Sequence, residues 1–168
     1  MKKIDVRAIC ECAVLIALEI VLERFASFKA LGLKFGISFV PMVLCAMLYG
    51  PWLTAACYAV ADLIGALLFP FGAYFPGFTL TCALIGICYG FFFYKKEKLN
   101  WLSVIAAPLI VCGLLGLGLN TFWMSVIYTS KTFLGWFLYR APQQAGLFIL
   151  HIVFLPILFK LLKKLRRA

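Results

Sequence analysis

Phe69–Thr81 reads FPFGAYFPGFTLT, and its reading decides what kind of fold the chain can take. Two prolines, two glycines and five aromatic rings interrupt an otherwise apolar sequence, with no charge among them. Pro70 and Pro76 lack a backbone donor and do not continue a helix interior, while Gly72 and Gly77 permit tight turns. Backbone this irregular cannot face lipid. It lies at a membrane surface or lines a cavity inside protein. Two readings fit it: a turn carrying interfacial Tyr and Phe, which composition alone favours, and an aromatic wall for a flat apolar ligand.

The flanking sequence sets the membrane context. Apolar residues make up 65% of the chain, charged residues 13%, and the mean hydropathy is +1.07. A soluble domain is roughly half apolar and a quarter charged. At about 20 residues per span with short connections, 168 residues hold six helices. The expected fold is an all-α, six-transmembrane-helix bundle forming one domain over residues 1–168. Predicted helices cover Arg7–Phe25, Ile37–Tyr49, Trp52–Phe69, Thr79–Tyr94, Trp101–Tyr128 and a last run from Ala141 into the Lys160–Arg167 tail. Phe25–Gly36 reads as a connector. Tyr128–Arg140, YTSKTFLGWFLYR, is too short and broken to span and reads as an interfacial half-helix or a lid.

The formal charge of +10 does not indicate nucleic-acid binding, because most basic residues flank helix ends. With the N-terminus inside, 11 of the 16 Lys and Arg fall on the cytoplasmic side. The outer side keeps 5: Arg24, Lys29, Lys34, Lys131 and Arg140. This asymmetry places both termini in the cytoplasm. The aromatic stretch, the Asn120 end of the fifth helix and the five cations then share the outer side, an arrangement suited to an aromatic anion arriving from outside.

Chemistry-bearing residues are few. Seven scattered cysteines read as small buried thiols rather than disulfides or a metal site. His151 is a single histidine in an apolar run. Glu19, Glu23 and Asp62 lie in or near spans, where carboxylates mark functional candidates or hydrogen-bonded structural groups. Gly72–Thr79 has the spacing of a phosphate-cradling loop, but Phe78 stands where that loop needs lysine. No catalytic spacing appears, so the chain reads as a non-enzyme whose energy for transport comes from elsewhere.

Five strings carry a family resemblance. They are DVRAI with AVLIALEIVLERF (Asp5–Ile9 and Ala13–Phe25), FGISFVPMVLCAMLYGP (Phe35–Pro51), ADLIGALLFPFGAYFPGFTLTCALIGICYGFF (Ala61–Phe92) and LNTFWMSVIY (Leu119–Tyr128). The chain resembles the substrate-binding S components of energy-coupling factor (ECF) vitamin transporters, most closely the folate-specific group, over nearly its whole length. The resemblance implies a bacterial plasma-membrane protein that captures folate or reduced folates outside. It implies a shared transmembrane scaffold and two cytoplasmic ATPases, with delivery by toppling in the bilayer. ATP would serve those partners, and the chain itself would need no cofactor. An S component for riboflavin, pantothenate or a thiamine precursor is the alternative. Under the resemblance, Ala13 and Ala17 form the face that docks on the scaffold. For a flat pterin with a dianionic tail, Tyr74, Phe75, Phe78 and Trp123 are stacking candidates, and Asn120 matches the ring edge. Arg24 is the leading cation, with Lys131, Lys34 and Arg140 for the tail.

Overall fold

Apolar runs bounded by proline, glycine or lysine become helices. In the computed structural model, which describes residues 6–30, 33–70, 74–96, 98–128, 130 and 132–165, they form a helical bundle. Helix α1 covers Val6–Arg24, α2 Phe39–Tyr49, α3 Pro51–Leu68 and α4 Pro76–Phe93. Helix α5 (Trp101–Pro108), a π-helical segment (Leu109–Leu119) and α6 (Asn120–Ile127) follow one another without a break, and α7 covers Phe133–Leu165. Among the described residues, four stretches are long and apolar enough to cross a membrane: α3, α4, Trp101–Ile127 and α7. Helix α1 carries three glutamates, and α2 has only 11 residues.

The structure differs from the sequence expectation in two places. The connector between α1 and α2 contains strands β1 (Phe28–Ala30) and β2 (Leu33–Phe35), an antiparallel pair in which Phe28 faces Phe35 and Lys29 faces Lys34. Pairing satisfies backbone groups that a bare connector would leave open. Helix α7 begins at Phe133, eight residues before Ala141. Its first turn is capped: the Gly135 amide donates to Thr132 Oγ1 at 3.3 Å, and the Trp136 amide donates to the Thr132 carbonyl. Pro142 and Pro156 lie inside this 33-residue helix. The segment proposed as a half-helix or lid is therefore, from Phe133 onward, the first two turns of α7.

Proline and glycine mark the other boundaries. Gly50 adopts φ +86° between α2 and α3, a conformation open to glycine, and Pro51 follows at the first helical position. Pro76 starts α4 in the same way. The tightest packing joins α3 and α4. A Cβ on Gly86 would lie 2.9 Å from the Ala55 Cα, and one on Gly90 would overlap the Pro51 backbone. The Gly86-x-x-x-Gly90 face thus lets the two backbones touch. The main apolar core lies beside this seam, where Val43, Met47, Tyr89, Phe93, Val104, Ala107 and Leu155 from four elements are almost wholly buried.

Gly90→Leu should therefore lower the unfolding midpoint in detergent by several degrees, since overpacking typically costs about 1–3 kcal/mol. Gly113→Ala is the control. Nothing lies within 4 Å of its would-be Cβ, so its midpoint should stay within a degree or two of the parent or rise.

Candidate functional site

The long π-helical segment is the local feature that builds the site. A π-helix this long is rare, since most occur as single-turn bulges at functional positions. It follows Pro108, which has no amide to donate, and contains Gly113, Gly116 and Gly118. Gly116 and Asn120 both face an internal cavity of about 200 Å³. The cavity lies between α1, α2, α3, α4, the π segment and α7. Its α7 wall runs through Arg140, Gln143, Gln144, Leu147 and His151. At 1.5 Å per residue, Arg140 to His151 spans about 16 Å of helix, so the cavity is elongated along α7.

The inner end is aromatic. His151 stacks on Phe39 with centroids 3.8 Å apart and lies nearly parallel to Tyr89 at 6.0 Å. His151 Nδ1 is 2.6 Å from the Leu147 carbonyl and 3.8 Å from Cys112 Sγ. The first contact fixes the ring orientation with an Nδ1 proton directed at that carbonyl. The outer end is polar, with Glu23, Ser27, Ser38, Asn120 and Arg140. Arg140 Nη1 also reaches Thr121 Oγ1 at 3.5 Å. Between the ends, Gln144 lies over Gly116; a Cβ there would sit 2.7 Å from its Oε1. Two cavity-lining atoms, the Tyr89 hydroxyl and Asn120 Oδ1, are buried without a hydrogen-bond partner among the described residues. Such groups cost free energy until something bonds to them.

The sequence-derived site residues separate into groups. Asn120 and Arg140 line the cavity. Trp123, Phe75 and Phe78 pack on one another beside it. Trp123 and Phe75 ring centroids are 5.3 Å apart, Phe75 and Phe78 6.4 Å, and Trp123 Nε1 donates to Thr81 Oγ1 at 3.2 Å. Gly77 makes room for this cluster, since a Cβ there would lie 2.6 Å from both the Phe75 and Trp123 rings. The Tyr74 hydroxyl is 3.2 Å from Thr79 Oγ1, which donates to Asp62 at 2.7 Å. Arg24 Nη1 donates to the Phe69 carbonyl at 2.9 Å, beside a Phe25–Phe69 edge contact. Ala13 and Ala17 are exposed on one side of α1. Lys131, and the side chain of Lys34, lie outside what the structure describes, as do residues 71–73 with Gly72.

Sequence reasoning did not assign Tyr58, Tyr89, Gln143 or Gln144 to a site, although all four line the cavity. The available signal was the pair of adjacent glutamines one turn after Arg140 on the face that leads to His151. Glu23, a candidate without a place, and His151, read only as a single histidine in an apolar run, both line the cavity.

A multi-pass membrane protein built around an internal cavity, apolar at its floor and polar at its mouth, is the class that this geometry defines. The model of the family described as ECF transporter, substrate-specific component, matches residues 7–162, and the chain belongs to that family. It is 35% identical to the folate transporter FolT of Clostridium novyi (strain NT) over 165 residues, 98% of this chain and 94% of that protein. It is 34% identical to the folate transporter FolT of Leuconostoc mesenteroides over 126 residues, covering 75% of this chain and 68% of the relative. A crystal structure of FolT bound with folic acid superposes with a TM-score of 0.81 at 36% identity, covering 89% of this chain and 90% of that one. The family is one of transporter components, not enzymes.

Trp123 holds the start of α4 against α6, so it is first a packing residue. Trp123→Ala should destabilise the protein by about 3 kcal/mol. Trp123→Phe, which loses the bond to Thr81 and part of the indole packing but keeps an aromatic ring, should cost less, about 1–2 kcal/mol. Denaturant titration in detergent measures both.

Proposed function

We propose that the chain is the folate-binding subunit of an ECF-type importer, and that the cavity between α4, the π segment and α7 takes the ring end of folate. The observation that carries this reading is a pair of buried polar atoms, Asn120 Oδ1 and the Tyr89 hydroxyl, with no hydrogen-bond partner among the described residues, on the wall of an elongated, flat-floored cavity. The relatives and the folic acid-bound FolT structure support folate as the ligand. Pockets enclosing a whole drug-sized ligand run about 300–1,000 Å³. A cavity of about 200 Å³ suits one end of a long ligand. The amides of Asn120, Gln143 and Gln144 match the donor and acceptor edge of a pterin, and the Phe39–His151–Tyr89 floor offers it a flat apolar face. Arg140 then meets the anionic tail, with Arg24, Lys34 and Lys131 as outer cations. Tyr74, Phe75, Phe78 and Trp123 form the packed rim beside the ring site.

The membrane arrangement follows the same reading. Helices α1 to α4, the Trp101–Ile127 rod and α7 are six spans in one substrate-binding domain, residues 1–168, with both termini cytoplasmic in a bacterial plasma membrane. The mouth of the cavity faces outward beside the β1–β2 hairpin. The exposed Ala13 and Ala17 dock on a transmembrane scaffold, and two ATPases use ATP to drive the cycle. The chain holds no cofactor of its own.

Equilibrium titration of the purified protein with folic acid, pteroic acid, riboflavin and pantothenate tests the ligand. Saturable binding of the two pterin compounds alone is expected; binding of neither overturns the reading. Arg140→Ala should weaken folic acid by about 10- to 100-fold, the worth of a charge-assisted hydrogen bond, while changing pteroic acid much less. Asn120→Ala should weaken both about equally. Ala13→Trp should leave binding by the isolated protein intact and abolish uptake by the assembled transporter. Loss of binding instead would show that this face packs within the bundle.

A further inference from the structure

Three cysteines far apart in sequence meet in the structure. Cys12 of α1, Cys45 of α2 and Cys57 of α3 place their sulfurs within 4.8 Å of one another. All three are shielded, at 6%, 0% and 5% exposure, in an apolar cluster that also contains the fully buried Met42. Among the described residues, this is the group of His, Cys, Asp and Glu side chains whose geometry suits a metal ion. We propose that it is a binding site for Cu(I), held by the three cysteine sulfurs, with the Met42 thioether one turn from Cys45 as an additional soft donor.

Softness and geometry select the ion. Thiolate and thioether donors prefer soft metals, and no oxygen or imidazole ligand belongs to the group. A metal–sulfur bond of about 2.3 Å places three sulfurs around one ion roughly 4 Å apart, so the cluster needs only a small closing movement. The surroundings are Leu15, Ile16, Leu53 and the Tyr58 ring. Arg7, also on α1, is exposed and paired with Glu11 at 2.8 Å; Glu11 in turn accepts from Tyr49. Cysteine binds a metal as thiolate, so each coordinating thiol gives up its proton. Three S–H bonds break, three Cu–S bonds form and three protons leave to water, while copper stays Cu(I) throughout and no oxidant is required. Occupation would tie α1, α2 and α3 together immediately behind the exposed Ala13 face.

The test is a Cu(I) titration of the reduced full chain in detergent, without oxygen, against a chromophoric Cu(I) chelator. One copper per chain should be taken from the chelator, both by the parent protein and by a chain in which Cys10, Cys82, Cys88 and Cys112 are alanine. Cys12→Ala, Cys45→Ala and Cys57→Ala should each weaken uptake at least tenfold, whereas Cys10→Ala should not change it. Zn²⁺ in tenfold excess should not displace the copper. Equal uptake by a Cys45→Ala/Cys57→Ala chain, or uptake that follows the other four cysteines, overturns the proposal. Where a variant fails to fold, alkylation of the parent protein before and after copper loading decides, read by mass spectrometry. Protection confined to Cys12, Cys45 and Cys57 supports the site, and protection of none or of the others refutes it.

Discussion

Direct backbone contact between α3 and α4 is the constraint on which the rest of the structure depends. Gly86 and Gly90 present no side chain to the seam, so the Ala55 and Pro51 backbone of α3 closes on α4. Between membrane helices, the lipid tails are as apolar as the side chains. Association there rests on close packing and hydrogen bonds rather than on escape from water. A seam this tight fixes α4 on one side only. The face of α4 next to the seam carries Tyr89 and Cys82 toward the cavity, and the chain fills the remaining space with a segment that is not a regular helix.

That segment links packing to function. Backbone departing from α-helix within a membrane is tolerated where protein buries it or where it lines a cavity. The π turns end at Asn120, whose amide enters the cavity with Oδ1 unsatisfied by the described residues. Opposite, the early start of α7 places Arg140 two turns into a formed helix rather than in a loose connector. A cation held in a helix, beside Gln143 and Gln144, is preorganised for an anionic ligand in a way that a loop cation is not.

Much of the fold was legible in the sequence, and the reasons are physical. Uninterrupted apolar runs must hydrogen-bond internally in lipid, so they read as helices. Gly50-Pro51 and the glycine pair in α4 announced a turn and a close packing face, and both occur. The β1–β2 hairpin was not legible, because FKA and LKF are three-residue strands with no alternation long enough to register. The lining of the cavity was half legible. Asn120 and Arg140 stood out as polar groups in apolar surroundings. The aromatic stretch around Phe75 drew attention for its composition, yet its rings satisfy one another through Trp123 and Gly77. The floor of the cavity, Phe39, Tyr89 and His151, comes from three different helices, and a period of 3.6 along each one cannot show that they meet. The cysteine cluster was hidden for the same reason, as each thiol sits on a different helix.

The most direct test is a crystal structure of this chain with folic acid bound. The account predicts the pterin ring between Gln144 and the His151–Tyr89 floor, with the Asn120 and Gln143 amides at its edge and a tail carboxylate on Arg140. A ring stacked instead against Tyr74, Phe75 or Trp123, with side chains filling the cavity, would contradict it.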